Sequence, residues 1–306
     1  MTSDATITLG PLLFNWPPDR WSDFYARVAD EAPVERVCIG EVVCSKRLPL
    51  YADRIPQTIE RLRRAGKIVV LSSLALVTLK REREICADLA ANGELEIEVN
   101  DLTMLAYLEP GRTFSVGPLT NVYNEGTLGF LAGRGADHIC LPPELPFASV
   151  SVLARVAAAH HATAEIWAFG RIPLAISSRC YHARVHGLAK DCCQFVCGED
   201  SDGLRVETLD GQEFLAVNGV QTLSATYCNL LGDLDRLRAA GVRSFRLSPH
   251  SCDMIAVADI FRRALDGQLD LEEAGHELKS LMPVAAFSNG FLAGNSGAAY
   301  ISAGTQ

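Results

Sequence analysis

Short apolar runs recur along the chain between longer stretches whose apolar residues fall at helical spacing. The runs at residues 7–10, 36–40, 67–72, 95–99, 113–117, 138–142, 164–169 and 244–248 read as buried strands. The stretches at 19–32, 55–66, 79–92, 126–135, 148–161, 230–241 and 253–267 carry the 3.6-residue pattern of amphipathic helices, several of them closed by glycine. Around residues 100–108 the helical segment is short. Strand and helix alternate, as a series of βαβ units requires. Eight such units in 306 residues predict a (β/α)8 TIM-like barrel, with residues 1–306 forming a single domain. An open doubly wound sheet is the rival, but no Gly-x-Gly-x-x-Gly follows the first strand to support a dinucleotide fold.

The alternation breaks once, at about residues 170–229, after the seventh strand. A cysteine-rich stretch comes first. Two alternating runs follow, 204–208 and 214–217, joined by Leu209-Asp-Gly-Gln212, and these predict a β-hairpin with an Asp-Gly turn. In the tail, residues 271–306, the last dozen positions are rich in Gly, Ala and Ser and are expected to be loose.

Composition narrows the possible roles. The chain is 48% hydrophobic and 21% charged, enough to bury a core, and its net charge of -9 argues against nucleic acid or an anionic membrane as partner. Residues 1–10 lack the pattern of a secretory signal, and the longest uncharged apolar stretch, 68–79, is too short to span a bilayer. A soluble cytoplasmic protein is therefore expected by default. Ten cysteines are many for a reducing compartment, where disulfides rarely persist, so metal or redox chemistry is the first expectation.

The cysteines divide by context. Cys180, Cys192, Cys193 and Cys197 lie close together in polar sequence. Cys193 and Cys197 are four apart, a spacing that turns both thiols to one side, whereas Cys192 should point elsewhere. A further ligand must come from a distant segment, and Cys44 is the best candidate. It follows the second strand as the insertion follows the seventh, and in a (β/α)8 barrel both loops open on the C-terminal face. Cys38 and Cys140 lie within strands and Cys86 within a helix, where cysteine acts as a small buried hydrophobe. Cys228 and Cys252, at the starts of helix-like segments, read as structural. A structural Zn(Cys)4 site usually shows paired Cys-x2-4-Cys knuckles; the irregular spacing here suits an iron–sulfur cluster better. The Cys-x3-Cys-x2-Cys run of radical SAM enzymes fails at Asp200.

Around these residues the chain resembles the UbiV family, within the collagenase-like peptidase superfamily, whose members act in oxygen-independent ubiquinone biosynthesis. The resemblance runs in order through Gly40-Glu-Val-Val-Cys-Ser-Lys-Arg47, Leu71-Ser-Ser-Leu-Ala-Leu-Val77, Asn121-Val-Tyr-Asn124, Leu141-Pro-Pro-Glu-Leu145 and Pro173-Leu-Ala-Ile-Ser-Ser-Arg-Cys180. It continues through Lys190-Asp-Cys-Cys193, Asn218-Gly-Val-Gln-Thr222 and Arg246-Leu-Ser-Pro249. It implies a [4Fe-4S] cluster on Cys44, Cys180, Cys193 and Cys197, and selects Cys193 over its extra neighbour Cys192. It also implies a heterodimer with a UbiU-like partner that hydroxylates the ring of a ubiquinone precursor without O2. The precursor would be brought by a lipid-binding accessory protein. The chain is then an enzyme as part of that pair.

Polar residues expected on the C-terminal face are Glu41, Asn100, Asn121, Glu144, Arg179 and Arg184, with the two arginines placed to offset cluster charge or bind a carboxylate. Two other functions compete. One is a binding module with structural zinc. The other is a peptidase, for which the chain offers neither His-Glu-x-x-His nor Gly-x-Ser-x-Gly. His160 and His161 end a helix and read as surface. His182 and His186, four apart in the insertion, form a minor metal-ligand candidate.

Overall fold

A computed structural model describes residues 4–302. The strands are β1 (Thr6–Leu9), β2 (Arg36–Ile39), β3 (Ile68–Ser72), β4 (Glu96–Val99), β5 (Phe114–Val116), β6 (Ala136–Leu141), β7 (Thr163–Ile176), β8 (Leu204–Glu207), β9 (Glu213–Asn218), β10 (Gln221–Asn229), β11 (Ser244–Leu247) and β12 (Phe287–Ser288). The helices are α1 (Pro18–Glu31), α2 (Ile55–Arg64), α3 (Lys80–Ala91), α4 (Glu125–Ala132), α5 (Phe147–Ala159), α6 (Tyr181–Val185), α7 (Leu234–Ala239), α8 (Met254–Leu265) and α9 (Leu271–Leu281). Strands β1 to β7 pair in parallel in chain order, and β11 closes the ring by pairing with both β1 and β7. The expected eight-stranded barrel is therefore formed. The short segment near residue 100 is a 3-10 turn, Leu102–Ala106.

Apolar side chains such as Ile7, Val37, Ile97, Ile139 and Phe245 are fully buried and belong to the main hydrophobic core. The inside of the barrel is polar instead. Arg246 on β11 ion-pairs with Glu165 on the adjacent β7 and, across the ring, with Glu98 on β4. Glu165 also meets His138 Nε2 at 2.9 Å and accepts from Ser244 Oγ at 3.0 Å, while Glu98 accepts from Ser72 Oγ and Asn100 Nδ2, both at 3.0 Å. Burial would raise Glu165, but Arg246 and then His138 outweigh it and hold the carboxyl well below its usual range. Cys38 and Cys140 are buried within their strands as expected, but they lie in this polar interior and outside the main apolar cluster, Cys38 with its Sγ 3.7 Å from Glu98. Cys86 does belong to it.

The insertion is more ordered than its sequence suggests. β7 runs through the barrel and on to Ile176, where its second half pairs antiparallel with β10. Within β7, Gly170 has φ +112, and a Cβ there would stand 2.7 Å from that of Ser248. The hairpin of β8 and β9 is present, and a second two-residue turn at Gly219 and Val220 joins β9 to β10. Cys228 consequently lies in a strand and not at the start of a helix. The tail also departs from expectation. Asn289 holds it with bonds to Ala299 O (3.0 Å), Ile301 O (3.0 Å) and Ile301 N (2.7 Å), so the chain is fastened as far as Ile301. The last four residues of that expectation, 303–306, lie outside the described residues.

Candidate metal centre

Three loops at the C-terminal ends of β1, β2 and β7 meet over one side of the barrel. After β2, the carboxylate of Glu41 accepts from the N–H groups of Val43 and Cys44, both at 2.8 Å, and from the Tyr51 hydroxyl. That fixes the turn presenting Cys44. Beyond β7, Cys180 caps α6, and Cys193 and Cys197 follow on short 3-10 turns. Cys44, Cys180, Cys193 and Cys197 line a single small cavity, together with Lys46, Arg47, Lys190, Phe195, Val196 and Gly219. Cys192 is exposed and is not part of that lining. All ten cysteines are free thiols.

The walls supply donors to sulfur. Ala183 N donates to Cys180 Sγ at 3.4 Å, Asn15 Nδ2 to Cys197 Sγ at 3.6 Å and Lys46 Nζ to Cys193 Sγ at 3.6 Å. Lys46 also donates to the carbonyls of Lys190 (2.8 Å) and Asp191 (3.0 Å), clamping the Cys44 loop to the Cys193 loop. Arg47 is fully buried and joins all three loops: Nη1 donates to Leu13 O and Nη2 to Asn218 Oδ1, each at 2.8 Å. Its Nε is buried with no hydrogen-bond partner, and its charge acts on Cys197 and Cys44. Gly219, with φ +62, makes room for this guanidinium, because a Cβ there would stand 2.7 Å from Nη2.

Burial pushes the Cys44 and Cys180 thiols up, opposed by the Lys46 and Ala183 backbone N–H groups respectively. The four cysteines line one space. Among the described residues, the group of three or more His, Cys, Asp or Glu ligand atoms lying mutually within 4.8 Å is His182, His186 and Asp200. Four thiols, three lysine or arginine side chains and an orphan Arg47 Nε fit an anionic metal–thiolate group.

The other expected polar residues divide. Glu41 positions the Cys44 turn, and Asn100 is buried in the barrel network with Ser73 and Glu98. Asn121 is exposed in a left-handed conformation, and Glu144 accepts from Tyr123. Arg179 and Arg184 are exposed and do not line the cavity, whereas Lys46, Arg47 and Lys190 do. The signal for two of these was in the sequence, since Lys46 and Arg47 directly follow Cys44-Ser45. His160 and His161 are exposed, as expected.

Fold and site together define a (β/α)8 barrel carrying four clustered free thiols on its C-terminal side. The chain belongs to peptidase family U32, whose family model matches residues 19–302. Among solved structures, it is similar to tryptophan synthase of Mycobacterium tuberculosis at 12% identity, covering 91% of this chain and 93% of that one with a TM-score of 0.38. It is also similar to N-isopropylammelide isopropylaminohydrolase of Burkholderia multivorans at 12% identity, with 92% and 75% covered and a TM-score of 0.43. Such distant likeness carries no argument about chemistry, and the barrel rests on the strand pairings themselves. No helix among the described residues is long and apolar enough to cross a membrane.

Proposed function

We propose that this chain is the UbiV-like, iron–sulfur subunit of an oxygen-independent hydroxylase acting on the ring of a ubiquinone precursor, in company with a UbiU-like partner. One observation carries the reading: Cys44, far away in sequence, joins Cys180, Cys193 and Cys197 around one cavity. Those four residues would hold a [4Fe-4S] cluster, which supplies one-electron transfer when bound. With four thiolates on four irons no iron is left open, so the residues of the chain serve to hold, charge-balance and shield the group. Lys46 and Arg47 place positive charge against Cys193, Cys197 and Cys44, and the N–H donors from Asn15 and Ala183 support the sulfurs.

Family membership by itself leaves peptidase and zinc-module readings, and the irregular spacing of the four cysteines along the chain supports a cluster over a single zinc ion. Anaerobic purification tests this. The chain should be brown and carry about four iron and four sulfide per polypeptide, and should co-purify with a UbiU-like partner. A colourless, iron-free protein with zinc on its thiols contradicts the cluster. A brown protein from a strain whose deletion leaves anaerobic ubiquinone intact contradicts the pathway.

A further inference from the structure

The insertion contains a second set of metal-type ligands, none of which lines the thiol cavity. His182 lies in α6 and His186 directly after it, so one helical turn puts both imidazoles on the same side. Their rings stack parallel, with centroids 5.7 Å apart and 6° between planes. The chain then passes Cys193 and Cys197 and returns Asp200 to the pair. One ligand atom from each of the three residues lies within 4.8 Å of the others.

His182 gives the arrangement its meaning. It is wholly buried, and Asp200 Oδ2 stands 2.9 Å from its Nε2, yet neither ring nitrogen makes a hydrogen bond of acceptable geometry. A buried imidazole in that state is costly and calls for an explanation. Neighbouring ligands of a zinc-class ion with bonds of about 2.1 Å stand roughly 3–3.5 Å apart, close to the 2.9 Å between Nε2 and Oδ2. His186 is exposed and Asp200 half-buried, so an ion can enter from solvent and keep water in its open positions.

We propose that His182, His186 and Asp200 bind one divalent transition-metal ion of the zinc class through two imidazoles and a carboxylate. The site is separate from the thiol cavity and does not rest on the cluster reading. It ties α6, which follows Cys180, to the turn after Cys197, and so fastens the two ends of the cysteine-bearing segment.

The test compares the full-length chain with His186→Ala and Asp200→Asn after dialysis against excess Zn2+. Each variant should hold one zinc fewer than the wild type, or bind that ion more than about tenfold more weakly. X-ray absorption at the zinc edge should show a nitrogen/oxygen shell at about 2.0–2.1 Å that the variants lose. Far-UV circular dichroism and iron content should match the wild type, since His186 is exposed and outside the thiol cavity. Equal zinc content and an unchanged nitrogen/oxygen shell in all three proteins would overturn the proposal, whatever the thiols hold.

Discussion

Arg47 is the residue on which the three loops of the thiol site depend. Its guanidinium is fully buried and donates to Leu13 O after β1 and Asn218 Oδ1 at the β9 end, while its own backbone belongs to the turn after β2. Asn218 repeats the link by donating to the same Leu13 carbonyl at 2.7 Å. Replacing Arg47 with Met keeps much of the packing but leaves Asn218 Oδ1 without this donor and Leu13 O with only one of its two. The expected loss is about 1–3 kcal/mol, read as a lower urea midpoint. Arg47→Lys should recover only part of it, because an ammonium lacks the planar fork that reaches both acceptors.

At the level of elements, the insertion is docked by Asp202, which follows the last of the four clustered thiols. Its carboxylate accepts from Ser251 N at 2.9 Å, from the Ser251 hydroxyl, and from His250 Nδ1 at 3.3 Å. His250 in turn accepts at Nε2 from Arg171 N, 3.0 Å away, where β7 leaves the barrel. Burial would raise Asp202, but His250 and Ser251 outweigh it and take the carboxyl down to about 2. Asp202 is free to ionise near its ordinary value of about 3.9 in the unfolded chain, so its stabilisation is complete above that pH and lost as pH falls towards 2. Asp202→Asn should therefore cost about 2 kcal/mol at pH 7, and the gap from wild type should narrow as unfolding is measured at progressively lower pH below 4.

The same insertion marks the limit of what the sequence disclosed. All eight barrel strands were legible because each is a short apolar run between turn residues, and the first hairpin because Asp210-Gly211 sits between alternating runs. β10 was not, although Asn218-Gly219 offered the same kind of turn signal; Thr222, Ser224 and Thr226 dilute its apolar pattern. The polar barrel interior was also hidden. Arg246, Glu98 and Glu165 look like solvated charges when read singly, and only closure of the ring brings β11 and β4 face to face. For the site, thiol spacing, loop position and the Lys46-Arg47 pair after Cys44 were visible, but Lys190 needed the folded loops to show its place.

For the whole molecule, closure of the barrel has two consequences, one for stability and one for chemistry. Removing Arg246 leaves Glu98 buried without its cation and Glu165 with His138 alone, so Arg246→Met should cost about 3–5 kcal/mol at pH 7. Both carboxyls are lowered in the native chain, and their contribution is lost as pH falls through the folded values, below about 4.3. In the variant they gain by taking up protons at higher pH, so the deficit should shrink between pH 7 and 5 when urea midpoints are compared. A deficit constant with pH would contradict the ion-pair account.

Closure also places the loop after β2 beside the insertion after β7, and this is how Cys44 meets three cysteines more than 130 positions away. The most direct measurement is iron and sulfide per chain after anaerobic reconstitution of wild type, Cys44→Ala and Cys192→Ala. Cys44→Ala should lose most of its iron while Cys192→Ala matches the wild type. Full iron in Cys44→Ala, or loss confined to Cys192→Ala, would contradict the four-thiol site built across the barrel.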